Sequence, residues 1–464
     1  MSIQRPVIGM LGVTASLYKK KLPQFVEELE KQYKNFVQKC FSFADIVSFP
    51  VAYERHMIEE SYSKMLQAGV DGIIIVFLSY SPSMIIAPVI EKSRVPVLIW
   101  NTQHLFEITK SFSVRDMINN HGMHGVQDLA CVLLRQKSPF IIVTGHWTQN
   151  DTMLSLANWC RCAAVYGALK RLKVGRIGGR FKDMGDFSVS DEAIGKNFGV
   201  DIVDIEIAEL ENEAKQISRN DIEQVLKNEK KKFIVEIDSS LHENLICTEM
   251  ALRNIINRYG PGALAINFMA FKGDSAYNLM PFYAISKLIS EGMGYGGEGD
   301  ALCAISVWIL HKLAGQAAFT EMFTTDYKNN RIFMSHMGES NLSMAKNDAE
   351  IKLVKKDMSI VNPGSFTGMF LFQQKPGTVT LFNLAPCEKE KFRFIAATGR
   401  VESRKIFPDI KAPHFLLKVK DDVRDFLTSY SLYGGTHHLA MAYGDYNERL
   451  RTLASIIGLE FLQI

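Results

Sequence analysis

Residues 73–78 read Ile-Ile-Ile-Val-Phe-Leu, an apolar run with no position suited to water. A strand of that kind must be covered on both faces, which a parallel sheet flanked by helices provides. The runs at 8–11, 95–100 and 140–144 have the same character, and amphipathic spans separate them. Over 22–36, Phe25, Val26, Leu29 and Tyr33 recur at helical spacing, and 117–134 and 152–172 read as further helices. The first third is therefore α/β with a mainly parallel sheet, in the Rossmann or flavodoxin manner. A second such unit has expected strands near 174, 202–205, 233–237 and 263–268, with helices at 250–259 and 283–290. After about Thr320 the pattern changes to short β-like segments at 368–372, 378–383, 392–397 and 415–419, with turns at Pro376-Gly377 and Pro386. This predicts a mostly antiparallel, barrel-like β domain closed by a helix over 443–457. The expected domains are residues 1–172, 173–314 and 315–464.

A chain of 464 residues is too long for one ordinary domain. Its net charge of +3 gives no basic stripe for nucleic acid, and Lys227–Lys232 reads as a solvated edge. The run at 73–78 is too short to cross a bilayer, and residues 1–6 lead straight into a strand with no secretory pattern. Seven cysteines without a CxxC pair suit reduced thiols, so the expected location is the cytoplasm. The first strand continues Gly9-Met10-Leu11-Gly12-Val13-Thr14, which lacks the GxGxxG fingerprint and leaves a dinucleotide cofactor unsupported.

Chemistry-bearing residues gather near glycines in the second half. Glu298 lies in Gly296-Gly297-Glu298-Gly299-Asp300, Glu321 follows Phe319-Thr320, His336 lies in Ser335-His336-Met337, and His438 ends Gly434-Gly435-Thr436-His437-His438. Two carboxylates and two imidazoles suit a hard or borderline divalent ion such as Mn²⁺, and such carboxylates can also move protons. Each residue alone has a plain structural explanation. Glu298 reads as a loop acid at a helix start, Asp300 as the helix cap, and Glu321 as a surface or capping acid. His336 reads as a satisfied core histidine. On an extended segment His437 and His438 point oppositely, so one can ligate while the other supports it or meets substrate.

Taken in order, these motifs resemble the L-arabinose isomerases and, more distantly, L-fucose isomerase-like sugar isomerases. Val143-Thr144-Gly145-His146-Trp147, Ser81-Pro82 and Thr102-Gln103 add to the likeness, which spans nearly the whole chain. The resemblance implies three domains and a Mn²⁺ site of Glu298, Glu321, His336 and His438, with Co²⁺ or Mg²⁺ also compatible. It implies that Glu298 and Glu321 carry out proton transfer in aldose–ketose isomerisation through a cis-enediol. It places His124 and Phe271 in the substrate pocket, with Phe181 where the family has a methionine and His437 as a further sugar contact. It also implies a homo-trimer or homo-hexamer with the active site between subunits. Ala15 and His121 stand where the family has sugar-binding glutamines, and Asn101 where it has a histidine, so the sugar is open. A divalent-metal sugar epimerase or lyase, and a non-catalytic sugar-binding protein, are the alternatives.

Overall fold

The computed structural model describes residues 5–272, 279–403 and 407–464. Two compact units emerge, one from Gln4–Ala168 with Thr452–Gly458, the other from Leu169–Arg451 with Leu459–Ile464. Among the described residues no helix is long and apolar enough to cross a membrane.

The first unit holds β1 (Val7–Val13), β2 (Asp45–Ser48), β3 (Gly72–Phe77), β4 (Val97–Asn101) and β5 (Ile141–Thr144). All pair in parallel in the order β2-β1-β3-β4-β5, the flavodoxin-like arrangement. Strand alternation sends Ile8, Met10, Ile74, Val76, Leu98 and Trp100 into one core beneath Leu29, Tyr33, Phe36 and Trp159. Val13, Ile73, Ile75, Phe77 and Ile99 face a second core with Ile58, Met65, Leu129 and Leu133. The helix expected over 117–134 is two helices, Val114–Asn119 and Gly122–Gln136. The second starts at a glycine because a Cβ on Gly122 would stand 2.2 Å from the Phe77 carbonyl oxygen.

In the second unit, β6 (Lys173–Ile177) and β7 (Asp201–Ile205) belong to a parallel sheet, whereas β8 (Ile234–Glu236) does not. The expected central strand at 233–237 is thus corrected. Ile234 and Glu236 are exposed, so β8 lacks the two covered faces of a central strand. The sheet is completed by β9 (Ala263–Ile266) and β10 (Gly294–Gly297), in the order β10-β9-β6-β7.

The rest of the chain supplies a larger mixed β region. Its strands are β11 (Ala318–Asp326), β12 (Arg331–Ser335), β13 (Lys352–Asp357), β14 (Phe366–Leu371), β15 (Gly377–Pro386), β16 (Phe392–Val401), β17 (His414–Val419), β18 (His438–Tyr443) and β19 (Glu460–Gln463). Seven form one sheet, β15-β18-β11-β12-β17-β16-β19, antiparallel except where β19 joins β16, and β15 also pairs with β16. Strands β14, β13 and β8 make a separate small sheet. The expected helix over 443–457 begins later, at Asn447, because Tyr443 still belongs to β18.

The helix Ala301–Ala314 is buried almost throughout, which its continuous apolar sequence requires. It packs against β9 and β10 on one side and β15 and β18 on the other. That helix explains the glycines before it. A Cβ on Gly294 would stand 2.4 Å from the Ala304 carbonyl oxygen, and one on Gly296 would stand 2.0 Å from that of Asp300. The glycine run expected as a loop is therefore a buried edge strand, and it delivers Glu298 beside the mixed sheet.

Candidate metal centre

Glu298 follows the carboxyl end of β10, the edge at which open parallel α/β sheets place ligands. Its backbone is left-handed, φ 59°, and Gly299 follows at φ 77°. A non-glycine residue there costs about 1–2 kcal/mol. The turn is held by Phe181 N–H donating to the Glu298 carbonyl at 2.9 Å and by Asp300 N–H donating to Gly297 O at 2.8 Å. It turns the Glu298 carboxylate toward β11 and β18, where His438 Nε2 lies 3.4 Å from Glu298 Oε2.

Strand register brings in the next groups. Glu321 on β11 lies directly opposite His438 on β18 and opposite Ser335 on β12, immediately before His336. Cross-strand partners of this kind share a face. Glu321 Oε1 accordingly lies 3.0 Å from His438 Nε2, 3.3 Å from His336 Nε2 and 3.7 Å from His437 Nε2. Glu321 is thus neither a surface acid nor a helix cap.

His437 and His438 do not diverge. Their ring centroids are 4.1 Å apart, and both Nε2 atoms stand 3.4 Å from Glu298 Oε2. β18 begins at His438, so His437 precedes the strand and escapes its alternation. Asn383 fixes this entry by donating to the His438 carbonyl at 2.8 Å and to Thr436 Oγ1 at 2.7 Å.

Each imidazole turns its other nitrogen to an outer carboxylate. His438 Nδ1 is 2.9 Å from Asp300 Oδ2, His336 Nδ1 is 2.8 Å from Glu339 Oε1, and His437 Nδ1 is 2.7 Å from Asp186 Oδ2. Asp300 also caps the helix at Ala301, its Oδ1 accepting from Cys303 N at 2.9 Å, so the expected cap has a second contact. Such carboxylate–imidazole pairs orient metal-ligating histidines and raise their basicity. The fully buried His438 Nε2 makes no hydrogen bond of ordinary geometry. Glu298, Glu321, His437 and His438 each offer one ligand atom, all within 4.8 Å of one another. This donor set fits a divalent ion.

The other predicted residues are placed as follows. His336 is buried and reaches this group through Glu321. Phe181 is half-buried, its ring 5.8 Å from that of Phe268, and Phe271 is buried at the end of the turn Phe268–Ala270. His124 belongs to the first unit, exposed on the helix Gly122–Gln136, with its Nδ1 2.6 Å from His121 Nε2. Sequence reasoning missed Glu339 and Asp186. Glu339 had a faint signal, standing three residues after His336, whereas Asp186 had none.

Charge pairing dominates the electrostatics. Burial pushes the Glu298 carboxyl up, but its contacts with His437 and His438 outweigh burial and hold it at about 2. Burial draws His336 and His437 down, yet Glu339 and Glu321 around the first, and Asp186 and Glu298 around the second, raise both to about 9. Raised histidine pKa values stabilise the fold below the unfolded value of about 6.5, and that contribution is lost as pH rises through about 9. A metal ion instead needs the ring nitrogens deprotonated, so its binding strengthens as pH rises. Metal-free protein should therefore lose Tm between pH 6.5 and 9, while the Tm gain on adding a divalent ion grows over the same interval. Calorimetry with and without the ion tests this; a gain independent of pH would mean these imidazoles do not bind it.

Profiles of the L-arabinose isomerase N-terminal, central and C-terminal domains match residues 10–171, 180–316 and 316–460. An L-arabinose isomerase of Yersinia pestis bv. Antiqua is 23% identical over 409 residues, covering 85% of this chain and 80% of the relative. One from Erwinia tasmaniensis is 22% identical over 408 residues, with the same coverage. An ABC transporter periplasmic solute binding protein from Actinobacillus succinogenes 130z, solved with bound D-allose, aligns at 15% identity and a TM-score of 0.15. That alignment covers 67% of this chain and 92% of the other.

Proposed function

The chain belongs to the L-arabinose isomerase family, and on that premise we propose that it is a metal-dependent aldose–ketose isomerase acting on an open-chain pentose or related, L-arabinose-like sugar. The observation that carries this reading is the meeting of Glu298 and Glu321 with the Nε2 atoms of His437 and His438, whose other nitrogens are hydrogen-bonded to Asp186 and Asp300. Glu298, Glu321, His336 and His438 would hold the ion, Mn²⁺ by family likeness, though Co²⁺ and Mg²⁺ suit the same donors. When bound, the ion supplies Lewis-acid polarisation of the sugar carbonyl and C2 hydroxyl oxygens.

The chain's own groups then move protons. One carboxylate of the Glu298 and Glu321 pair takes the proton from C2, giving a cis-enediol. The other assists the shift of a hydroxyl proton from O2 to O1, and a proton is returned at C1. No external oxidant or reductant is required, since the C1 carbonyl becomes a hydroxyl as the C2 hydroxyl becomes a carbonyl. Burial of both carboxylates keeps bulk water from competing for the proton in transit.

Phe181 and Phe271 would wall the sugar pocket, with His437 as a further contact. His124 would enter from the first unit of a neighbouring copy in a homo-trimer or homo-hexamer. Ala15, His121 and Asn101 remove or replace polar groups that meet sugar hydroxyls in the family, so the favoured stereoisomer should differ. Ketose formation from a panel of pentoses, hexoses and 6-deoxyhexoses, with Mn²⁺ and again after EDTA, tests the reading. A metal-dependent ketose from one sugar supports it. An aldose epimer as sole product, or binding without turnover in the metal-loaded protein, rejects it.

A further inference from the structure

The contacts of His437 go beyond a sugar contact. Asp186 lies on the loop between β6 and the helix Asp191–Phe198, and a single carboxylate oxygen, Oδ2, accepts from both His437 N at 3.0 Å and His437 Nδ1 at 2.7 Å. The two bonds fix the backbone and ring of His437 together. With Nδ1 donating to Asp186, the nitrogen left with a free lone pair is Nε2, and that atom faces Glu298 and Glu321. The next residue on the loop, Phe187, is buried and stacks on His438 at 5.5 Å and 16°. The segment Asp186-Phe187 therefore holds both histidines, one through a carboxylate and one through a ring.

Two donors each about 2.1 Å from one ion stand roughly 3.0–3.5 Å apart. His437 Nε2 stands 3.4 Å from Glu298, within that span, and 3.7 Å from Glu321, just beyond it, while His438 Nε2 stands 3.4 and 3.0 Å from the same two groups. His336 Nε2 lies 3.3 Å from Glu321 but makes no ion-pair contact with Glu298, and it stands outside the mutually close ligand atoms of Glu298, Glu321, His437 and His438. The geometry points to Asp186 as a positioning residue that makes His437 a metal ligand, so that this centre carries one more imidazole than the family's set. The inference rests on the metal reading above. An added nitrogen donor favours Mn²⁺ and Co²⁺ over Mg²⁺, which prefers oxygen and water.

Asp186 is a partly exposed loop residue, so Asp186→Ala should fold, as a thermal melt of the metal-free protein would verify. Loss of an outer carboxylate of this kind weakens metal binding about 10- to 100-fold. In Asp186→Ala and in His437→Gln, Mn²⁺ affinity measured by chelator competition should fall by that factor. The pulsed EPR spectrum of the Mn²⁺-loaded protein should lose one imidazole nitrogen coupling relative to the parent in both variants. His437→Gln with unchanged couplings and affinity, and only a raised KM, would overturn the ligand role. A lost coupling in His437→Gln but not in Asp186→Ala would overturn the positioning role. If the parent protein takes up no Mn²⁺, the metal reading falls and this inference with it.

Discussion

Glu298→Gln and Glu321→Gln should each lower kcat by about three orders of magnitude at saturating metal while leaving the fold intact. Glutamine matches glutamate in shape and can keep the left-handed turn at 298 and the strand position at 321. It retains a carbonyl oxygen for the ion but loses the group that accepts and returns a proton. Positioned acid–base catalysis is worth about 10²–10⁴-fold, and the lost charge beside three imidazoles weakens metal binding further. Both effects lower activity, so the assay needs metal content measured on the same sample. Loss of turnover at full occupancy assigns the carboxylates to proton transfer. Activity within tenfold of the parent in both variants, at full occupancy, would remove them from that role. The double variant should cost little more than either single one, because the two groups act on one proton path.

Legibility in the sequence followed hydrophobicity. Four of the five strands of the first sheet could be read because each is a largely apolar run, and helices cover both faces, whereas the edge strand β2, Asp-Ile-Val-Ser with exposed ends, was not expected. β10 could not, because three of its four residues are glycines, and the smallness of Gly294 and Gly296 answers to the helix above them. β8 had a strand's composition but pairs with β13, a partner more than a hundred residues later. The site was legible by resemblance and not by spacing. Glu321 looks like an isolated acid until β11 is placed between β12 and β18, and only the register then sets it opposite His438. His437 was expected to turn away from His438, and it does not because it precedes the strand. Asp300 could be recognised as a cap from its place before a helix. Asp186 acts across the chain, on a residue far from it in sequence, and no local pattern announces such a contact.

Away from the metal centre, Lys287→Met should destabilise the protein by about 3–5 kcal/mol, the usual consequence of stranding one partner of a buried ion pair. Lys287 Nζ lies 2.7 Å from Glu229 Oε1 and also contacts Glu249, and both glutamates are almost fully buried. Glu229 is otherwise met by Tyr283 O–H at 2.5 Å and His242 Nε2 at 2.8 Å, while Glu249 keeps Arg253 at 2.8 Å. Methionine fills much of the lysine's volume, so lost packing is a small part of the cost. The pH dependence separates the two. In the parent, burial opposes ionisation of Glu229, but His242 and Lys287 outweigh it and lower its pKa. That contribution is present above the unfolded value of about 4.3 and is lost as pH falls through the lower folded one. Without Lys287 a main offset to burial at this carboxyl is gone while the His242 and Tyr283 contacts remain, so its pKa rises above the parent's and acid relieves the stranded charge sooner. The Tm deficit of Lys287→Met should therefore shrink between pH 8 and pH 5. The double variant Glu229→Gln/Lys287→Met should recover much of the loss at pH 8, where neither residue leaves a charge behind. An equal deficit at both pH values, with no recovery in the double variant, would assign the cost to packing and leave the buried charges without a stabilising role.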